Sequence, residues 1–343
     1  MGVPILENLP AALADTAPRD VRRVFPEPTL LRLAGDSDEY LFISVLLHGN
    51  ETVGYEVLQR LADWLPRHRL HRGLLVFVGN VTAAAAGLRA LPGQQDFNRV
   101  WQGAGGIEGD MAQEVLQFAA GHRLFASVDI HNNTGRNPFY ACINRLDPAF
   151  LYLASLFSRR IVYFQTPATV QSMAFAGLCP SVTLECGQPA NPAGVQAAFD
   201  YVIALSRLTS LSTHVDVRHD VDVYHTLGRV ELVGDPAVVF GQHAALNDDA
   251  AVLRLPDCID DWNFSPLQKG HVLAEFSGPA PLLRVTGDDG RDLTRRLLTI
   301  DRETVRLAEA VVPAMLTRDI AVMRNDCLGY LMETLSLDGD APR

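Results

Sequence analysis

The run Tyr40-Leu-Phe-Ile-Ser-Val-Leu-Leu47 constrains this chain more than any other stretch. It is almost continuously apolar, and a strand with one wet face would alternate, so it predicts a central strand covered on both sides. The run stops at His48. Beyond Glu51, the residues Val53, Val57, Leu58, Leu61, Trp64 and Leu65 recur at helical spacing, which leaves Gly49 and Asn50 in a tight strand-to-helix turn.

The alternation continues downstream. Strands are predicted at 74–78, 127–130, 161–164 and 182–184, separated by helices at about 110–119, 148–158 and 192–208. Asp110 reads as an N-cap and Gly121 as a helix stop. Such alternation implies βαβ units in an α/β fold, with a mixed, largely parallel sheet between helical layers. Between Thr213 and His225, valines alternate with charged residues, the signature of a half-buried strand, and short apolar runs with turn residues continue to about Val285. A boundary is expected near residue 210, separating an α/β/α domain over 1–210 from a smaller β-rich domain over 211–343. Within the latter, the segment 301–316 reads as helical. Gly103, Gly105, Gly106 and Gly109 fit neither a dinucleotide nor a phosphate-loop spacing and read as a loop.

His48 and Glu51 stand together at a strand's carboxyl end, where open α/β sheets build their sites. Alone, His-x-x-Glu reads more readily as a turn whose carboxylate faces a helix N-terminus than as a metal clamp. Asp129-Ile-His131 closes another apolar strand and brings a second imidazole. His48, Glu51 and His131 then supply a His₂Glu set, which holds a catalytic zinc and leaves one position open. One zinc ion per chain is expected, although this donor set also accepts neighbouring divalent metals.

Asp96-Phe-Asn-Arg99 is either a solvated turn or a binding loop. In the second case Asn98 and Arg99 grip a substrate carboxylate, because a guanidinium fork matches two oxygens. Asp96 would then hydrogen-bond the outer nitrogen of a ligating histidine. Arg136, just beyond His131, is a further cation able to meet an anionic substrate. Glu185 closes the strand-like Ser181-Val-Thr-Leu-Glu185. It is either a solvated strand end or, beside a metal-activated water, the general base that takes a proton and returns it to a leaving amine.

Composition narrows the class. With 343 residues, 48% hydrophobic, a soluble globular protein of about two domains is expected. The net charge of −11 and the lack of a Lys/Arg block argue against a nucleic-acid partner. No basic segment followed by an apolar core opens the chain, and no apolar run approaches the ~20 residues of a membrane span. A cytoplasmic protein without a membrane partner is the expectation, and a homo-oligomer is compatible with it. The five cysteines, Cys142, Cys179, Cys186, Cys258 and Cys327, form no Cys-x-x-Cys pair and read as reduced and mostly buried.

Taken together and in this order, His48-Gly-Asn-Glu51, Asp96-Phe-Asn-Arg99, Asp129-Ile-His131 and Thr183-Leu-Glu185 resemble the succinylglutamate desuccinylase/aspartoacylase family, relatives of the zinc carboxypeptidases. The resemblance covers roughly residues 40–200. It implies a carboxypeptidase-like α/β/α zinc-hydrolase domain and a β lobe over the active-site mouth, and Asn263–Gly270 is similar to that lobe's turn. Asn80–Arg89 also resembles a family segment, with Val81 where a proline usually stands. By that match Arg89 polarises the scissile carbonyl.

The implied activity is amide hydrolysis of a small anionic N-acyl amino acid by metal-activated water. Aspartoacylase-like members bind the side-chain carboxylate with an arginine before the catalytic glutamate, whereas Gln165–Leu184 holds no Arg or Lys. Two other readings stay open: a carboxypeptidase acting on a short peptide, and a zinc-stabilised binding protein without turnover. Glu185 beside an open-position ligand set weighs against the last, since structural sites fill all four positions with protein ligands.

Overall fold

Among the residues that the computed structural model describes, 2–211, 217, 219–241 and 251–337, the chain forms two units. One comprises Met1–Asn132 and Phe139–Val221, the other Asn133–Pro138 and Asp222–Arg343. The first unit carries strands β1 (Ile5–Leu6), β2 (Thr29–Leu33), β3 (Glu39–Val45), β4 (Gly73–Val78), β5 (Arg123–His131), β6 (Tyr140–Ile143), β7 (Arg160–Tyr163) and β8 (Ser181–Glu185). Their order is β1-β2-β4-β3-β5-β8-β6-β7, parallel except where β2 meets β4 and β6 meets β8. This is the largely parallel α/β sheet that the strand–helix alternation predicts.

The helices are α1 (Val53–Trp64), α2 (Val81–Ala86), α3 (Gly106–Ala120), α4 (Pro148–Ser155), α5 (Gln171–Phe175) and α6 (Pro192–Arg207). Period-two alternation sends Val45 to one face of β3 and Phe42 with Ser44 to the other. On the Val45 face, α1 approaches so closely that a Cβ on Gly54 would lie 2.7 Å from the Val45 side chain. On the opposite face Phe42, Phe77, Trp101, Val115 and Phe175 form one buried cluster, with Phe42 stacked on Phe175 at 4.0 Å. Covering both faces explains why β3 and β4 are buried almost throughout.

Two expectations are corrected here. Helix α3 starts at Gly106, after Gly105 with φ 65°, so Asp110 lies inside the helix and caps nothing, while Gly121 does end it. The segment 301–316 is not helical. It forms β-structure because Asp301 pairs with Thr304 across a two-residue hairpin turn, and Val305 and Leu307 alternate with exposed Arg306. Its Glu, Ala, Arg and Leu residues favour helix locally, but burial against neighbouring strands wins.

The buried cation Arg72 secures the end of α6. Its guanidinium is 2% exposed, sits 3.6 Å from the Phe125 ring centroid and donates to Glu39 at 2.9 Å. It also donates to the carbonyls of Leu205, Leu208 and Thr209. Helix ends leave such carbonyls without intrahelical partners. Arg72→Met is therefore expected to lower stability by roughly 1–3 kcal/mol, the cost of leaving buried carbonyls at the helix end without a donor. Urea unfolding measures this, and a loss under about 1 kcal/mol, the range of an exposed pair, would refute it.

The second unit has strands β9 (Asp222–Leu232), β10 (Ala237–Phe240), β11 (Val252–Leu255), β12 (Val272–Ser277), β13 (Leu283–Gly287), β14 (Leu298–Asp301), β15 (Thr304–Leu307), β16 (Val312–Ala314) and β17 (Gly329–Thr334). One antiparallel set runs β13-β9-β17-β16, and a second sheet runs β10-β11-β12-β15-β14. Of the valine alternation expected from Thr213, positions 213–216 and 218 lie outside the described residues, and β9 carries alternation from Asp222. Residues 133–138 join this unit through short contacts. Asn137 Oδ1 accepts from the Met315 backbone N–H at 2.9 Å, and the Leu316 carbonyl leaves no room for a Cβ on Gly135.

Candidate metal centre

Strand β3 stops at Val45, two residues before the end of its apolar run, because Leu46 adopts a left-handed φ of 55°. A non-glycine residue there is uncommon and costs of order 1–3 kcal/mol. The freed carbonyls of Val45 and Leu46 accept from the N–H groups of Gly79 and Asn80. The turn that follows needs Gly49, since a Cβ would fall 2.2 Å from the Ala84 nitrogen of α2. Held this way, His48 and Glu51 stand ahead of α1, which begins at Val53.

Glu51 is the hub of the site. Its Oε1 lies 2.7 Å from His48 Nδ1 and its Oε2 lies 2.7 Å from His131 Nδ1. One ligand atom from each of His48, Glu51 and His131 falls within 4.8 Å of the others, and all three residues are buried, so this group can hold a metal ion. The outer nitrogens support that fit. His48 Nε2 lies 3.1 Å from Asp96 Oδ1, and His131 Nε2 lies 2.7 Å from Asp129 Oδ2. A carboxylate at Nε2 fixes each ring and leaves Nδ1 on the Glu51 side, where it can exchange its hydrogen bond to Glu51 for a metal ion.

The charges follow. Burial alone would raise the Glu51 carboxyl, but the facing imidazoles of His48 and His131 outweigh it and hold the group well below the usual carboxylate range. For His131, burial disfavours the proton, yet Asp129 and Glu51 lift it well above the ordinary histidine value. Burial opposes ionisation of Asp96 too, and His48, Arg89 and Arg99 overcome it. The two imidazoles face Glu51 on one side and Asp96 or Asp129 on the other, so a divalent ion held there would have buried carboxylates to answer its charge.

The other nominated residues fall in distinct places. Arg89 Nη2 donates to Asp96 Oδ2 at 3.0 Å, and Arg89 Nη1 lies 4.0 Å from Glu51 Oε1, so this guanidinium flanks the centre. Glu185 ends β8 in register with His131 of β5, and paired residues of parallel strands present their side chains on one face. Arg99 is half-buried beside the centre and donates to the Asn98 carbonyl at 2.8 Å. Asn98 is 7% exposed, with its amide turned into the protein. Its Oδ1 accepts from the Gln171 N–H at 2.9 Å, and its Nδ2 lies 3.4 Å from Asp129 Oδ2. Arg136 belongs to the second unit and is ion-paired with Asp261 at 2.8 Å and Asp260 at 3.7 Å. Cys186, next to Glu185, is fully buried, and burial pushes its thiol well up, so it carries no thiolate near neutral pH.

Several residues at the centre have no role in the sequence reading. Asp129 orients His131, and Ser44 Oγ donates to Asp129 Oδ1 at 2.7 Å. Asn132 joins three elements: its N–H donates to Glu51 Oε2, its Oδ1 accepts from Val53 at the start of α1, and its Nδ2 donates to the Gly187 carbonyl. The available signal was polarity in the wrong place, a serine inside an apolar strand and an acid two residues before a ligating histidine.

Residues 38–197 match the model of the succinylglutamate desuccinylase/aspartoacylase catalytic domain. A succinylglutamate desuccinylase of Pseudomonas putida (strain GB-1) is 27% identical over 308 residues, covering 78% of this chain and 85% of that protein. Among solved structures, the fold is similar to succinylglutamate desuccinylase from Chromobacterium violaceum, with a TM-score of 0.58, 18% identity and 89% of each chain covered. It is also similar to murine aminoacylase 3, with a TM-score of 0.56, 16% identity and coverage of 87% of this chain and 96% of that one. Among the described residues no helix is long and apolar enough to cross a membrane.

Proposed function

We propose, from the premise that residues 38–197 form a catalytic domain of the succinylglutamate desuccinylase/aspartoacylase family of hydrolases, that this chain hydrolyses the amide bond of N-acyl amino acids with zinc as its cofactor. The observation that supports this most is the pairing of a metal-capable His48–Glu51–His131 group with a carboxylate, Glu185, in strand register with His131.

A zinc ion held by His48, Glu51 and His131 supplies positive charge that acidifies water and polarises a carbonyl. Glu185 takes the proton of the attacking water and gives it to the departing amine, so one carboxylate serves as base and then as acid. Arg89, beside Glu51, stabilises the oxyanion, with Asp96 holding its guanidinium in position. Arg99 grips the α-carboxylate of the amino-acid part.

The amino acid itself is, in this proposal, neutral or apolar. Curated relatives carry the name of a succinylated glutamate. Yet Gln165–Leu184 contains no cation, Phe175 within it belongs to the core, and Arg136 is committed to Asp261. A side-chain carboxylate would therefore be left without a partner, and hydrogen bonds to charged groups contribute about 1.5–3 kcal/mol.

The test is kcat/KM for N-acetyl derivatives of Asp, Glu, Leu, Met and Phe, for N-succinylglutamate and for short peptides, before and after zinc removal and return. Zinc-dependent turnover of the N-acyl amino acids is expected, with the Leu, Met and Phe derivatives about 10–100-fold ahead of N-acetylaspartate. Cleavage of peptides alone would overturn the amide-deacylase reading. A preference for Asp or Glu that disappears in Arg136→Ala would overturn the neutral preference.

A further inference from the structure

We infer that Asn132 is a positioning residue whose side chain ties the segment carrying Glu51 to the turn behind Glu185. The roles of those two carboxylates rest on the function proposed above, whereas the bridge itself rests on hydrogen bonds alone. Asn132 directly follows His131 at the end of β5, and strand alternation sends its side chain to the opposite face of the sheet, where it meets the start of α1. It is 3% exposed and so acts from behind the centre. Its backbone N–H donates to Glu51 Oε2 at 3.0 Å, its Oδ1 accepts from the Val53 N–H at 3.1 Å, and its Nδ2 donates to the Gly187 carbonyl at 2.9 Å. One side-chain partner can only donate and the other can only accept, which settles which end of the amide is oxygen.

The bond to Val53 supplies a cap that the local sequence does not. The first N–H groups of a helix have no intrahelical acceptor. Thr52, at the N-cap of α1, leaves them unanswered, because its hydroxyl donates to Glu56 Oε1 at 2.8 Å. Asn132 caps the helix from 79 positions away, and Glu51, two residues before Val53, is thereby held through its backbone as well as its carboxylate. The bond to Gly187 continues the sheet where its ladder stops. The Cys186 N–H donates to the His131 carbonyl at 3.0 Å, and the chain then turns at Gly187, whose φ is 74° and where a Cβ would lie 3.0 Å from the Phe139 ring. By catching the Gly187 carbonyl, Asn132 keeps the end of β8, with Glu185, against His131.

Two substitutions separate the arms. Asn132→Ala removes both side-chain bonds. Asn132→Asp keeps an acceptor for Val53, at a helix N-terminus where negative charge is favourable, but sets a carboxylate oxygen against the Gly187 carbonyl. Zinc affinity, measured by chelator competition, is expected to fall about 10–100-fold in Asn132→Ala, the usual loss when an outer partner of a metal ligand is removed, and to be restored in Asn132→Asp. In the zinc-loaded proteins kcat is expected to fall about 10–100-fold in both variants, with KM unchanged. Amide hydrogen exchange of the metal-free proteins gives an independent reading: the Val53 N–H should lose protection in Asn132→Ala alone, and the Cys186 N–H in both.

Asn132→Asp carries the test through kcat and the Cys186 N–H if the alanine variant does not fold. A rise in KM with kcat unchanged would make Asn132 a substrate contact. A lower melting temperature with zinc affinity, kcat and both N–H groups unchanged would make it a packing residue only. Either result overturns the inference, as does zinc binding in Asn132→Asp as weak as in Asn132→Ala. If the parent protein neither bound zinc nor turned over substrate, the proposed function would fall. The exchange of Val53 and Cys186 would then decide the bridge by itself, lost protection supporting it and unchanged protection overturning it.

Discussion

Glu185→Gln is expected to bind zinc and substrate as the parent does and to turn over about 10²–10⁴-fold more slowly, the usual contribution of a general acid–base group. The amide has the shape of the carboxylate but cannot accept a proton. Its position makes the change clean. Glu185 ends a strand whose other residues are buried, in register with His131 on one side and Tyr140 on the other, so the backbone holds the side chain and the substitution does not move it. Glu185 also lies outside the metal-capable group, which is why zinc content should be unaffected. The measurements are kcat and zinc per chain. A near-parental kcat would remove Glu185 from the chemistry, and loss of zinc would make it a ligand.

His48→Ala and His131→Ala are each expected to abolish both zinc binding and hydrolysis, since a methyl group cannot replace an imidazole donor. They should differ in stability. His131 lies between two buried carboxylates, Glu51 and Asp129, and its loss strips a partner from both. Removing one member of a buried charge network costs roughly 3–5 kcal/mol. His48 joins Glu51 to Asp96, but Asp96 also accepts from Arg89, so its charge is still answered when His48 is gone. His131→Ala should therefore unfold at a lower temperature than His48→Ala when both are metal-free. Elemental analysis and thermal melts test the two halves, and full zinc occupancy in both variants would sink the ligand assignment.

Much of the architecture was legible because strong signals were local. An unbroken apolar run must be a doubly covered strand, and helical spacing of Val53 through Leu65 then requires a turn between them. The residues nominated for chemistry stood where such runs stop, at His48, His131 and Glu185. Where local signals conflicted with packing, the sequence misled. The 301–316 segment is rich in helix formers but pairs as a hairpin strand, and Asp110 resembles a cap yet lies within a helix that starts from Gly105.

By itself, then, the sequence determined which residues end the strands and which of them bear donors suited to a metal, because strand ends and donor types are properties of a few adjacent residues. Tertiary structure alone decided how those donors are used. Strand register sets Ser44 beside Asp129, 85 positions apart, and Glu185 beside His131. A single backbone N–H, that of Gln171, orients Asn98, 73 positions away. Register and hydrogen-bond direction depend on which segments pack together, and a one-residue slip would turn a strand's side chains, such as Ser44 or Glu185, to the opposite face of the sheet.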